Sequence, residues 1–254
     1  MDLSKAFDTV NKNILKEKLH QLGITEISTS LLNSYMTNRQ FSMKNDDIYY
    51  TQNSGVPQGS ILGPLLFIIY TYDMTEITKQ NKIIVYADDT TVLVSGKTLI
   101  EAKQHCNDIL DRFYKYFTLN KLSINPSKTK FMIYRPTNGK KRKSNIHDIT
   151  NTKLMMNSLP LKQVSSIKFL GVLINDKLTW DCHKKLICNK ISKTIGILYR
   201  CKNTMNNEEC IKMYKTFIQP YFLYALEAWG HSIQSDNDLL VKVQSKVLRI
   251  LFNN

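Results

Sequence analysis

The sequence has no C-x-x-C pair, no long apolar run, no internal repeat, and too few acids to balance its bases. Each shortfall removes a class of protein. The longest apolar stretch, Ile61 to Tyr72, falls well short of the roughly 20 residues needed to span a bilayer. The five cysteines (Cys106, Cys182, Cys188, Cys201 and Cys210) are odd in number and follow no signal peptide, which reads as reduced thiols of an intracellular protein. Cys182, His183 and Cys188 lie close together but fall short of a four-ligand zinc set, so they read as helix residues. The acid shortage is the most informative: 35 Lys and Arg against 21 Asp and Glu leave a net charge of +14. A surplus of that size favours a polyanionic partner, because each neutralised phosphate releases condensed counterions. Charge alone fits nucleic acid first, then an anionic membrane surface or an acidic protein.

What is present is globular. Hydrophobic residues make up 43% and charged residues 22% of 254 residues, enough for one large domain or two modest ones. The first ten residues read as a strand fragment followed by a helix. Asp8, chiefly, or Asn11 caps that helix, Ile14, Leu15, Leu19 and Leu22 form its apolar face, and Gly23 ends it. A second helix is expected over 28–36, with strand-like pieces near Phe41 and Tyr49. Ser54 to Ser60 is a Gly/Pro-punctuated loop leading into an apolar helix from about Gly63 to Tyr72. Lys82 to Val94 reads as a hairpin with acids at its turn. A long amphipathic helix follows, marked by Leu99, Ala102, Cys106, Ile109, Leu110, Phe113 and Phe117. Strands are expected near Lys130 to Tyr134 and Ile167 to Ile174, and helices at about 181–202, 207–218 and 236–252. A boundary near residue 176 divides an α+β part from a helical one.

The chemistry centres on Asp88-Asp89. Adjacent carboxylates at a tight turn disfavour each other's ionisation, and a divalent cation removes that penalty. Two such ions about 4 Å apart clamp the attacking and leaving oxygens of a phosphoryl transfer. A site of this kind needs another acid from a neighbouring strand, for which Asp2 and Asp8 are the candidates. An isolated Asp-Asp is far more often a surface turn.

Taken in order, several segments resemble the reverse transcriptase family, most closely its non-LTR retrotransposon (jockey-like) branch. Asp2-Leu3-Ser4-Lys5-Ala6-Phe7-Asp8-Thr9-Val10 resembles motif A. Gly55-Val56-Pro57-Gln58-Gly59-Ser60, running on through Phe67, resembles motif B. Tyr86-Ala87-Asp88-Asp89 resembles motif C, Leu122 to Lys130 motif D, and Phe169-Leu170-Gly171-Val172 motif E. Tyr214, Pro220, Tyr224, Trp229-Gly230 and Gln244 are similar to the branch's helical thumb pattern, so the resemblance covers nearly the whole chain.

The resemblance implies an RNA-directed DNA polymerase of right-hand α+β architecture. A palm (antiparallel sheet with packed helices) would occupy 1–176 and an all-helical thumb 177–254. It implies Mg²⁺ as cofactor, in two ions with Mn²⁺ as an alternative, and dNTP, RNA template and DNA primer as partners. Asp2 and Asp88 would be the principal metal ligands, with the Leu3 carbonyl and Asp89 assisting. Ala6, Phe7, Gln58 and Gly59 would line the nucleotide site, Phe7 excluding a 2′-hydroxyl by bulk. Lys128 would be the general acid for pyrophosphate, although a solvated lysine explains it equally well. Tyr86, Phe169, Leu170 and Gly171 would hold primer and template, while buried-strand packing accounts equally for the apolar pair. The run Lys140-Lys141-Arg142-Lys143 reads first as solvated surface, then as a phosphate contact or nuclear signal.

Relatives carry a fingers subdomain before motif A. Here only Met1 precedes Asp2, so the fingers read as truncated and Asp2 is expected on a fraying end beside a charged α-amino group. With no endonuclease segment in front and no zinc-knuckle run behind, the chain is expected not to nick DNA by itself. The competing function is a catalytically silent fragment that only binds RNA. A maturase or retron polymerase shares the palm but is disfavoured by the Leu62-Gly63-Pro64-Leu65-Leu66-Phe67 run.

Overall fold

A computed structural model describes residues 1–42, 49–52, 54–78, 81–134, 152–232 and 238–252. They are a mixture of helices and two-stranded sheets, an α+β chain as expected. The described residues divide into two compact units, one drawn from Met1–Phe131 and Lys143–Gln163, the other from Met132–Arg142 and Val164–Asn254. The basic run at residues 140–143 lies outside the described residues.

In the first unit, a short turn α1 (Ala6–Thr9) precedes α2 (Lys12–Gln21) and α3 (Glu26–Met36). Strands β1 (Arg39–Ser42) and β2 (Tyr49–Gln52) pair antiparallel, and α4 (Leu62–Thr71) follows the Gly/Pro loop. Strands β3 (Lys82–Tyr86) and β4 (Asp89–Leu93) form the expected hairpin, with Tyr86 opposite Asp89 across a two-residue turn. Ile83, Ile84, Val85, Thr90, Thr91 and Val92 supply the β-branched side chains that favour it. Helix α5 (Leu99–Leu119) buries Ile109, Leu110, Phe113 and Phe117. The core joins Leu15, Leu19, Leu66, Phe67, Tyr70 and Phe113.

Lys18 sits inside that core at 6% exposure. Its ammonium donates to the Tyr70 carbonyl at 2.6 Å and to Asp73 Oδ1 at 2.8 Å. Tyr116 OH donates to the same carboxylate oxygen. A buried ammonium is tolerated only when its protons are so matched.

Two local expectations are corrected. Asn11, not Asp8, caps α2: its side chain accepts from the Asn13 and Ile14 N–H groups, because Asp8 is already inside the preceding turn. Leu22 does not join the apolar face but is 46% exposed. The sheet expected of a palm is fragmented into two-stranded pieces: β5 (Lys130–Phe131) pairs parallel with β8 (Lys162–Gln163), and β6 (Met155–Met156) pairs antiparallel with β7 (Leu159–Pro160).

In the second unit, the expected single strand over 167–174 is a hairpin of β9 (Ser166–Phe169) and β10 (Val172–Asn175). The helix Asp181–Cys201 packs against the helix Leu239–Phe252 around Ile187, Ile191, Ile195, Leu198, Trp229 and Val247. His183 and Cys188 are buried on the first of these helices, whereas Cys182 is exposed. Helix Asn207–Phe217 opens on a capping box between Asn206 and Glu209. No helix among the described residues is long and apolar enough to cross a membrane.

Candidate active site

The site is assembled around the first four residues. Met1 exchanges both backbone hydrogen bonds with Thr90: its amino group donates to the Thr90 carbonyl at 2.6 Å, and Thr90 N–H donates back at 3.3 Å. That pairing lays the start of the chain along β4, one residue beyond Asp89. On the other side, Leu3 forms an antiparallel bridge with Ile124. Ser4 N–H donates to the Ser123 carbonyl at 2.8 Å and Asn125 N–H donates to the Asp2 carbonyl at 2.9 Å. Asp2 N–H reaches Thr129 Oγ1 at 3.4 Å. Asp2 therefore sits in a short extended segment held from both flanks, with Leu3 only 4% exposed. The expected fraying does not occur, because the ladder bonds come from distant parts of the sequence and not from preceding residues. Burial lowers the pKa of the Met1 amino group, against the opposing pull of the Asp89 and Asp2 carboxylates.

Asp88 lies in the hairpin turn, half-buried, and Asp89 opens β4, exposed. Ala87 enters the turn at φ 51°, a left-handed conformation that costs a non-glycine residue about 1 kcal/mol. Asp2 Oδ2 is buried without a hydrogen-bond partner. Lys128 Nζ stands 3.6 Å from it on a side chain that is 68% exposed. A buried carboxylate oxygen that receives no hydrogen bond is a candidate ligand for a hard divalent cation. Among the described residues, no three Asp, Glu, His or Cys side chains converge closely enough to hold a metal alone. The remaining ligands would have to be carbonyl, water or substrate oxygens, the usual arrangement for Mg²⁺.

The motif B loop docks on the motif A turn through backbone. Gly55 N–H donates to the Val10 carbonyl and Val56 N–H to the Phe7 carbonyl, at 2.9 and 2.8 Å. Gly55 has φ 80°, and a Cβ built there would stand 2.7 Å from Asp8 Cα and from the Phe7 carbonyl oxygen. Only glycine fits. Gly59, at φ 81°, faces open space. Ser60 Oγ accepts from Gly63 N–H and donates to the Pro57 carbonyl, fixing the entry to α4. The Phe7 ring packs against Phe67 with centroids 4.7 Å apart, and Ala6 is buried at 3%.

Sequence reasoning missed two polar links. Gln58 Nε2 donates to Asp8 Oδ1 at 2.7 Å, and Arg39 Nη2 reaches the Gly55 carbonyl at 3.4 Å. Both residues, with Asp8, Gln40, Gln52 and Pro57, line a cavity of about 500 Å³. Arg39 carried no signal beyond its place just ahead of a strand-like segment. Tyr86, at the end of β3, is 64% exposed. Phe169, Leu170 and Gly171 belong to the second unit, where Leu170 (φ 43°) and Gly171 (φ 86°) make the turn between β9 and β10.

Over 263 residues the chain is 27% identical to the probable RNA-directed DNA polymerase from transposon X-element of Drosophila melanogaster, covering 99% of this chain and 28% of that protein. It is 28% identical to the RNA-directed DNA polymerase from mobile element jockey of Drosophila funebris, over 98% of this chain and 27% of the relative. Identity is 28% over 58% of this chain to the retrovirus-related Pol polyprotein from type-1 retrotransposable element R1 2 of Nasonia vitripennis. The chain thus spans little more than a quarter of the first two relatives' length. Residues 1–174 match the family model described as reverse transcriptase (RNA-dependent DNA polymerase), and the chain belongs to that family.

Proposed function

We propose that this chain carries the catalytic palm and the thumb of an RNA-directed DNA polymerase of the non-LTR retrotransposon type. The observation that carries the reading is the clamping of Asp2 between the Asp88-Asp89 hairpin and the 122–129 segment, with its Oδ2 buried, receiving no hydrogen bond and facing only the Lys128 ammonium at 3.6 Å. Asp2 and Asp88, with the Leu3 carbonyl and Asp89 assisting, would hold Mg²⁺ (or Mn²⁺). When bound, such ions lower the pKa of a primer 3′-hydroxyl and neutralise charge on the phosphoryl group in transit.

The chain's own residues do the rest. Phe7, braced by Phe67, forms a wall that leaves room for a deoxyribose and crowds a 2′-hydroxyl. Gln58, held by Asp8, presents its amide beside the nucleotide, and Gly59 lets backbone approach. Lys128, 3.6 Å from Asp2 on a largely exposed side chain, would give a proton to departing pyrophosphate. The basic surplus supplies attraction to the template–primer duplex.

The test is primer extension on an RNA template with Mg²⁺ and dNTPs, using this chain and its Asp88→Asn variant. Incorporation that the variant abolishes is the expected result. RNA binding with no extension at any enzyme concentration would leave a silent RNA-binding fragment as the function.

A further inference from the structure

Both backbone polar groups of Asp2 are held by one turn. Its carbonyl accepts from Asn125 N–H at 2.9 Å, and its N–H donates to Thr129 Oγ1 at 3.4 Å. The bonds to β4 are made by Met1 and not by Asp2. The Asp2 carboxylate meets the same turn, since Lys128 Nζ stands 3.6 Å from Oδ2. Residues 125–129 therefore set the orientation of Asp2, and all of them belong to the first unit.

The turn is closed on itself. Asn125 Oδ1 accepts from Ser127 Oγ at 2.6 Å and from Lys128 N–H at 3.3 Å. The Asn125 carbonyl accepts from the N–H groups of Lys128 and Thr129, at 3.2 and 3.0 Å. Thr129 is buried at 2%, and beyond it the chain enters β5, which pairs with β8. Valine has the same branched shape, so packing alone does not call for a hydroxyl here. That hydroxyl gives its one proton to the Asn125 carbonyl at 3.0 Å, a group the Thr129 N–H already reaches. With the proton committed there, an oxygen lone pair is left for the Asp2 N–H. Closure of the turn does not need the hydroxyl. The Asp2 N–H does, because among the described residues no other acceptor meets it.

We infer that Thr129 is a positioning residue for the metal-binding carboxylate: its hydroxyl fixes the Asp2 backbone so that the Asp2 side chain is presented to a divalent cation. The inference rests on the polymerase reading above, under which Asp2 is a metal ligand. Thr129 itself touches neither ion nor substrate. A group of this kind raises the affinity of a site by orienting one of its ligands.

The test uses the full chain with Mn²⁺ alone as the probe, bound ion being counted from the loss of the free-ion paramagnetic resonance signal. Thr129→Val keeps the branched shape and loses the hydroxyl, whereas Thr129→Ser keeps the hydroxyl. Asp88→Asn reports whether the counted ion sits at the candidate site. The expected result for Thr129→Val is about a threefold to tenfold rise in Kd for Mn²⁺, the scale of one lost hydrogen bond. Thr129→Ser should stay within about twofold of the parent, because the acceptor is retained. In extension assays the Mg²⁺ concentration giving half-maximal rate should rise by the same factor in Thr129→Val, with KM for the primer–template unchanged. If Thr129→Val does not fold, Thr129→Ser against Thr129→Ala makes the same comparison, since those two differ by the hydroxyl alone. Equal Mn²⁺ affinity with and without the hydroxyl, where Asp88→Asn loses the ion, overturns the inference alone. Mn²⁺ binding that depends on both Asp88 and the Thr129 hydroxyl, in a chain that never extends a primer, upholds the inference and removes the polymerase reading. No Mn²⁺ binding, or binding that Asp88→Asn leaves intact, removes both.

Discussion

The Gln58 amide donates a 2.7 Å hydrogen bond to the Asp8 carboxylate, tying the motif B loop to the turn that follows Asp2. Asp8 is therefore not the helix cap its position suggested, and in the polymerase reading proposed above it supports the side chain that would face the nucleotide. Removing the acceptor frees Gln58 to rotate. Asp8→Ala is expected to raise KM for dNTP about threefold to tenfold, the scale of one ordinary hydrogen bond, because this one is exposed to water. Asp8→Asn keeps an acceptor oxygen and should stay within about twofold of the parent on the same argument. Because the bond is exposed, melting should shift little. Steady-state kinetics at saturating primer reads it, and an unchanged KM in Asp8→Ala would rule the support role out.

Two glycines of that loop share a backbone conformation and differ in surroundings, which separates strain from contact. Gly55 and Gly59 have φ of 80° and 81°, but only at Gly55 would a Cβ meet backbone, at 2.7 Å. Gly59→Ala is expected to cost about 1–2 kcal/mol, the price of a left-handed alanine. Gly55→Ala should cost clearly more, since the motif A turn and the loop must be pushed apart. Urea denaturation of the pair measures the difference, and equal losses would show that the Gly55 contact relaxes freely.

The hairpin that carries Asp88 and Asp89 was legible because its signals are local: β-branched runs on each side of a two-residue turn. The long helices after residue 180 were legible for the same reason, through periodicity. What failed was non-local. Nothing in the opening residues announces that Met1 pairs with Thr90 or that Asp2 bonds to Asn125 and Thr129, so a chain end was read as loose where distant partners hold it. Asp8 and Asn11 are both good caps by type, and the choice between them depended on where the first turn began. Over 167–174 an almost continuous apolar run read as one strand, although Gly171 was the signal for a turn. The placement of Lys140 to Lys143 remains a matter of sequence alone.

His183 gives the second unit a dependence on pH. Its Nδ1 accepts from Leu173 N–H, its Nε2 is buried without a partner, and burial lowers its pKa below the ordinary histidine value, with Lys190 adding to the effect. The neutral ring is thus the folded form. As pH falls through the unfolded value of about 6.5, the unfolded chain takes up the proton first, so stability is full above that pH and declines below it. Thermal melts from pH 7.5 to 5 should show a drop that His183→Gln, which keeps an acceptor but cannot titrate, flattens. Parallel slopes in the two proteins would assign the drop to other groups.

Lys18 poses the opposite case, a charge the core cannot lose. It lies on the helix face of Ile14, Leu15 and Leu19, and its ammonium finds the Tyr70 carbonyl, Asp73 and the faces of Tyr70 and Tyr116. Lys18→Met fills similar volume but leaves that carbonyl and half of the Asp73 pairing unmet. Breaking a buried pair costs about 3–5 kcal/mol in general, and because the Asp73 side chain is a third exposed, a loss nearer 2–3 kcal/mol is expected. Asp73→Asn keeps an acceptor for Lys18 and Tyr116 and should lose less, about 1–2 kcal/mol. Chemical denaturation ranks the two variants. If Asp73→Asn proves the more damaging, the network is organised around the carboxylate and the Tyr116 hydroxyl, and Lys18 only fills space beside them.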